Sequence, residues 1–160
     1  MARSWIPAVG LVIRLAAAGI WLTAGIAKLF GLEHFREQVT AFKFLPHVLV
    51  TPFAYGLPFV EIFVGLYLLA GLFVVPAAIL SCVLMVAFIV AMSQAWARGL
   101  SLDCGCFGAL SRSKVGFWTV ARDAALGIPG LILVFWPARL LSIDERYLGL
   151  ADAWARTPDG

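Results

Sequence analysis

Residues 74–97, VVPAAILSCVLMVAFIVAMSQAWA, carry no charged side chain in 24 positions. At about 1.5 Å per residue a helix of that length reaches roughly 36 Å, enough to cross the roughly 30 Å hydrocarbon layer of a bilayer. Pro76 does not interrupt it, because a proline in the first turn gives up an amide that has no helical partner anyway. Gly71 and the residues up to Pro76 read as a tight hairpin, so another apolar helix stands immediately before this one. That earlier stretch, 52–73, carries the single charge Glu61. Two further apolar stretches complete the set: 8–30, which contains Arg14 and Lys28, and 115–136, which contains the adjacent pair Arg122 and Asp123.

The whole chain agrees with this reading. Of its 160 residues 62% are hydrophobic and 13% charged, with a mean hydropathy of +0.97; a soluble domain is about a quarter charged. The expected fold is all-α, a polytopic membrane four-helix bundle forming a single domain over 1–160. The net charge of +3 comes from 12 basic and 9 acidic residues, with no basic run to track phosphates, which excludes nucleic acid as a partner. Arg14 and Lys28 lie inside the first apolar stretch, unlike the charge of a cleaved signal peptide, which is confined to its start.

Two connectors remain. In 31–51, Leu32, Phe35, Val39 and Phe42 recur at helical spacing opposite Glu33, Arg36, Glu37 and Lys43, the pattern of an amphipathic helix lying at the membrane interface. The second connector, 98–114, is rich in glycine and serine and contains LDCGCFG at 102–108. Beyond Pro137 the segment 137–160 alternates apolar residues with charges, as a surface tail would. Four spans place both termini on one face and both connectors on the other. Basic residues occur on both faces, so charge alone does not set the orientation.

Cys104 and Cys106 carry the strongest chemical signal. Two thiols separated by one glycine can close a small, strained disulfide, the exchangeable kind, and Gly105 supplies the backbone freedom this requires. Two other readings stay open: a structural staple in a noncatalytic subunit of a larger membrane complex, and a metal site combining the thiols with His34 and His47 from the other connector. Cys82, inside the third span and far from the loop, reads as a small buried hydrophobe. Ionisable groups within a membrane are costly and mark sites by default. Counted from the connector face, Lys28, Glu61, Arg122 and Asp123 all fall in the cysteine half, where pairs such as Glu61 with Arg122, or Lys28 with Asp123, would neutralise a polar pocket or relay. Arg14, near the opposite face, is expected to snorkel there.

The run RLAAAGIWLTAGIAKLFGLEHFREQVTAFKFLP (14–46), then PFVEIFVGLYLLAG (58–71), LDCGCFG (102–108) and VARDAALG (120–127) resembles the MauE branch of the DoxX-like membrane proteins, over roughly residues 10–135. The resemblance implies a four-helix bundle acting as a membrane thiol-disulfide oxidoreductase component, with Cys104 and Cys106 exchanging. It also implies a quinone as electron acceptor and an exported or thioredoxin-like protein as partner. On that footing the chain lies in the cytoplasmic membrane with its cysteine loop extracytoplasmic and its termini cytoplasmic, since disulfides persist in oxidising compartments.

Overall fold

The computed structural model describes residues 5–43, 46–99 and 116–136. These form five helices: α1 (Trp5–Phe30), α2 (Leu32–Phe42), α3 (His47–Ala70), α4 (Val74–Ala97) and α5 (Phe117–Phe135). Four of them, α1 from Ala8, α3, α4 and α5, are long and apolar enough to cross a membrane. Cys104, Cys106, nearly all of the second connector and the tail 137–160 lie outside the described residues.

The first and third spans fall where the sequence placed them. The second does not: α3 begins at His47 rather than 52 and ends at Ala70 rather than 73. Pro52 and Pro58 therefore sit inside the helix, where each removes one backbone donor. A membrane-spanning helix tolerates this when neighbouring helices shield the freed carbonyls, and Pro58 is almost fully buried. The helix stops at Gly71, whose left-handed backbone (φ 69°) directs its own N–H to the Leu68 carbonyl and the Leu72 N–H to that of Tyr67, at 3.3 and 2.9 Å. This double closure is the usual glycine-led helix terminus. The chain reverses within residues 71–73 and enters α4, forming the expected hairpin.

Small residues bring the helices together. A Cβ built on Gly25 of α1 would lie 2.8 Å from both the Pro58 carbonyl oxygen and the Ile62 Cγ1 of α3, and one on Gly65 would lie 2.7 Å from the Leu22 Cγ. Glycine at both crossings lets α1 and α3 approach backbone to side chain, as small residues do between membrane helices. On the other side, Gly130 and Gly127 of α5 face Ser81 and Met85 of α4 in the same way, with contacts of 2.9 Å each. Ala17, Ala18, Trp21, Val64, Leu68, Ala77, Ala78 and Leu133 fill the core near the chain's terminal face. The Trp21 indole N–H donates to the Ser81 Oγ at 2.6 Å, so the polar ends of two mid-span residues satisfy one another. Larger apolar side chains such as Val12, Phe63, Val83 and Phe135 point outward, which suits a bundle whose solvent is lipid.

The amphipathic stretch of the first connector is α2, with Phe35 and Val39 buried. These pack on Val50, Ala54 and Leu57, so the apolar face of α2 is taken up by the first half of α3. Near its end Phe42 packs against Met92 and Ala95 of α4, and its carbonyl accepts from an Arg98 guanidinium N–H at 3.4 Å. α3 and α4 thus project past the end of α1, and α2 covers the projection.

Candidate functional site

This extension changes the depth of the polar residues. Lys28 lies in the last turn of α1, yet its ammonium meets Glu61 near the middle of α3 and approaches Phe88 near the middle of α4. It is a mid-bundle charge. Its Nζ donates to both carboxylate oxygens of Glu61, at 2.8 and 2.9 Å, and both side chains are completely buried. The rings of Phe35 and Phe88 stand over the ammonium at 5.5 and 5.3 Å, within reach of a cation–π attraction. Two hydrogen bonds and two aromatic faces offset the large desolvation cost of a buried lysine.

A second pair lies on α5, where Arg122 donates through Nε and Nη2 to Asp123 Oδ1, at 3.1 and 3.0 Å. The Asp123 carboxylate is buried and the Arg122 guanidinium is one-third exposed. The ion pairs seen among the described residues are Lys28 with Glu61 and Arg122 with Asp123, where the sequence suggested Glu61 with Arg122 or Lys28 with Asp123 as examples. The sequence placed the four residues in one half of the bundle, but helix depth alone could not decide which neighbours would face each other. Glu61 and Asp123 are among the residues lining one small, almost wholly apolar cavity of about 20 Å³, together with Ile20, Trp21, Ala24, Met85, Phe88 and Leu126. Asp123 lies about 9 Å along α5 from its first residue, Phe117, the end of α5 nearest the second connector.

Other candidates behave differently. Arg14, expected to snorkel, is 2% exposed and held inside the bundle. Cys82 is a half-buried free thiol near Gly130, short of the full burial expected. His34 and His47 are both exposed. His34 shares a hydrogen bond with Gln38 at 3.0 Å, and its neighbour Glu33 accepts from the Tyr55 hydroxyl at 2.8 Å. Tyr55 stands about 12 Å along α3 from His47, so the two histidines sit at separate ends of the α2–α3 pairing. Among the described residues no three His, Cys, Asp or Glu side chains gather as a metal site would require.

Sequence reasoning missed the Phe35 and Phe88 rings around Lys28, the Trp21–Ser81 bond and the Tyr55–Glu33 bond. The first had a visible signal, since Phe35 belongs to the apolar face of α2. A tryptophan and a serine in the middle of spans also signal, because each needs a polar partner away from water. The Tyr55 hydroxyl, followed by the Arg36 charge, holds the Glu33 carboxyl below the ordinary carboxylate range. A carboxylate with a lowered pKa contributes stability above its ordinary range and loses it as pH falls through the lowered value. Tyr55→Phe should move the Glu33 titration upward toward the ordinary value, read by carboxyl NMR of the labelled protein; an unchanged titration would mean that Arg36 alone sets it.

A second cavity of about 330 Å³ lies between α3 and α4, lined by Phe63, Tyr67, Phe73, Pro76 and Leu80 among others. It is apolar and sits by the α3–α4 turn, in the half away from the second connector.

Comparison with known proteins gives a consistent result. The family model described as methylamine utilisation protein MauE matches residues 6–137. The chain is 32% identical to the methylamine utilization protein MauE of Methylophilus methylotrophus over 151 residues, covering 92% of this chain and 80% of that one. It is 31% identical to the protein of that name from Paracoccus denitrificans over 121 residues, 75% of this chain and 65% of the relative. With the Methylorubrum extorquens protein it shares 33% over 123 residues, 76% and 66%. The chain thus spans just under two thirds of the length of the last two relatives. No solved structure matches it.

Proposed function

The chain belongs to the MauE family, and from that premise we propose that it is a membrane component of methylamine utilisation that passes oxidising equivalents through Cys104 and Cys106 to an exported or thioredoxin-like protein. The observation that carries this reading is the mid-bundle pair of ion pairs, Lys28–Glu61 and Arg122–Asp123. Two buried carboxylates beside one cavity, each paired with its own cation, are costly within a membrane and mark a site rather than mere helix packing. The second connector, which contains the two cysteines, runs between α4 and α5, and the Arg122–Asp123 pair lies about two turns into α5.

In the exchange, a thiolate of the partner attacks one sulfur of the Cys104–Cys106 disulfide and forms a mixed disulfide. The partner's second thiolate then attacks that bond, leaving an oxidised partner and a reduced Cys104–Cys106 dithiol. The dithiol returns to the disulfide by giving two electrons and two protons to a quinone, written here as a substrate that becomes the quinol. In this reading the quinone meets the thiols at the connector. The connector faces the extracytoplasmic side of the cytoplasmic membrane and the termini face the cytoplasm, because the exchange needs an oxidising compartment.

Serine at both Cys104 and Cys106 should leave the exported partner's thiols reduced, scored by thiol alkylation in membranes, while Cys82→Ser leaves oxidation unchanged. Serine at one cysteine alone should trap the partner in a mixed disulfide. Full oxidation in the double variant would overturn the proposal.

A further inference from the structure

Two breaks in the helices bracket the Lys28–Glu61 pair. Gly31, three residues after Lys28, separates α1 from α2 with a non-helical backbone (φ −126°, ψ 41°). Pro58, three residues before Glu61, has no amide N–H, so the Ala54 carbonyl lacks its donor from the next turn of α3. Sharp bends in helices concentrate at such positions. Gly25 of α1 abuts the second break, with the Pro58 carbonyl oxygen 2.8 Å from where a Cβ would lie. This close contact and the Lys28–Glu61 bonds hold α1 and α3 together at the level of both breaks.

Between the breaks, α2 and the first half of α3 are joined to one another. Phe35 and Val39 share a core with Val50, Ala54 and Leu57, and the Tyr55 hydroxyl donates to Glu33 at 2.8 Å. The other side-chain hydrogen bonds of α2, Arg36 to Glu33, His34 with Gln38 and Thr40 to the Arg36 carbonyl, stay inside that helix. Ties to α4 are fewer. Among the described residues one hydrogen bond reaches α2 from there, Arg98 to the Phe42 carbonyl, and at 3.4 Å it is long. The remaining contacts with the bundle are apolar or aromatic: Phe42 on Met92 and Ala95, Leu84 and Phe88 on the shared core, and the Phe35 ring over Lys28. Lipid tails are as apolar as these side chains, so parting them in a membrane forfeits packing but no hydrophobic burial.

We propose that α2 and the part of α3 from His47 to Leu57 form a flap that swings as one body about Gly31 and Pro58, opening the seam between α2 and α4. Its free edge is the Phe42 end of α2, held to Arg98 where the second connector begins. Closed, the flap keeps Phe35 over the Lys28 ammonium and the ion pair completely buried. Open, it lifts Phe35 away and uncovers the pair towards the connector side. Lys28 and Glu61 both lie outside the flap, so their bonds persist as the frame against which it moves. Hydration of the uncovered charges offsets part of the packing that is lost, because their burial carries a desolvation cost. The motion does not depend on the thiol exchange; it makes burial of the ion pair a switchable property of the fold.

Spin-label distances test this in the full chain in lipid nanodiscs, with its three cysteines replaced by serine. Labels at the exposed positions Glu37→Cys and Ala97→Cys span the seam, and labels at Glu37→Cys and Thr51→Cys lie within the flap. Pulsed paramagnetic resonance should give two distance populations across the seam and one within the flap. Arg98→Ala should raise the ratio of open to closed about threefold, the lower part of what one hydrogen bond contributes, because this bond is long. Pro58→Ala restores a donor to the Ala54 carbonyl that bending must break, and should lower the ratio about fivefold. A single cross-seam distance that Arg98→Ala leaves unchanged would overturn the flap. Splitting of the distance within the flap would show that α2 and α3 do not move as one body, and an open fraction indifferent to Pro58→Ala would remove the hinge; either result overturns the proposal.

Discussion

Lys28→Met is expected to destabilise the bundle by about 3–5 kcal/mol, the usual result of removing one partner from a buried ion pair. Methionine keeps the length and apolar stem of lysine, so the phenylalanine rings retain a neighbour. What it removes is the charge that both oxygens of Glu61 contact. The carboxylate is then left completely buried beside Phe88, and it must either take up a proton or draw water into the core. The single variant is therefore expected to unfold earlier in a detergent-to-SDS titration. The double variant Lys28→Met with Glu61→Leu should recover most of the loss, because an apolar pair of similar volume has nothing to desolvate. A double variant no better than the single one would place the cost in packing rather than in the orphaned charge.

Gly25→Val should be nearly as damaging, at about 3 kcal/mol, the upper part of the range for overpacking. One obstacle is the backbone carbonyl of Pro58, 2.8 Å from where the first added carbon would lie, and a carbonyl cannot rotate away as a side chain can. α1 and α3 must separate, and Lys28, one turn further along α1, is pulled from Glu61. Gly19→Ala provides the contrast. Nothing stands within 4 Å of an added Cβ there, so the change should be neutral or slightly stabilising through helix propensity. Equal losses from the two substitutions would show that the α1–α3 approach is not what Gly25 secures.

These two residues also show how far the sequence could be read. The spans were legible because hydropathy and length act locally, and 74–97 came out with its observed ends because both are marked, by a hairpin and by Arg98. The second span was placed from about Pro52, whereas α3 begins five residues earlier and continues through that proline. Burial of Lys28, Glu61 and Asp123 followed from their position in apolar runs. Their pairing did not, since it depends on how far α3 outreaches α1 and on the α2 break at Gly31, and neither leaves a trace in local composition. Local composition does not say which helix Gly25 or Gly65 would meet. That each sits opposite a specific side chain of the facing helix is a property of the crossing, not of either segment.

The Lys28–Glu61 pair also constrains how the protein is made. The two residues are 33 positions apart, so α1 leaves the ribosome carrying a lysine whose counter-ion has not yet been synthesised. A lysine at the centre of an inserting helix costs about 2.5–3.5 kcal/mol, and at the end of α1 it can still reach the headgroups while the helix stands alone. Only when α3 arrives, with α2 folded along its first half, does that helix end become the interior of the bundle. The first three helices should therefore settle in the membrane as one unit, with the Lys28–Glu61 bond as the step that commits α1 to its final depth.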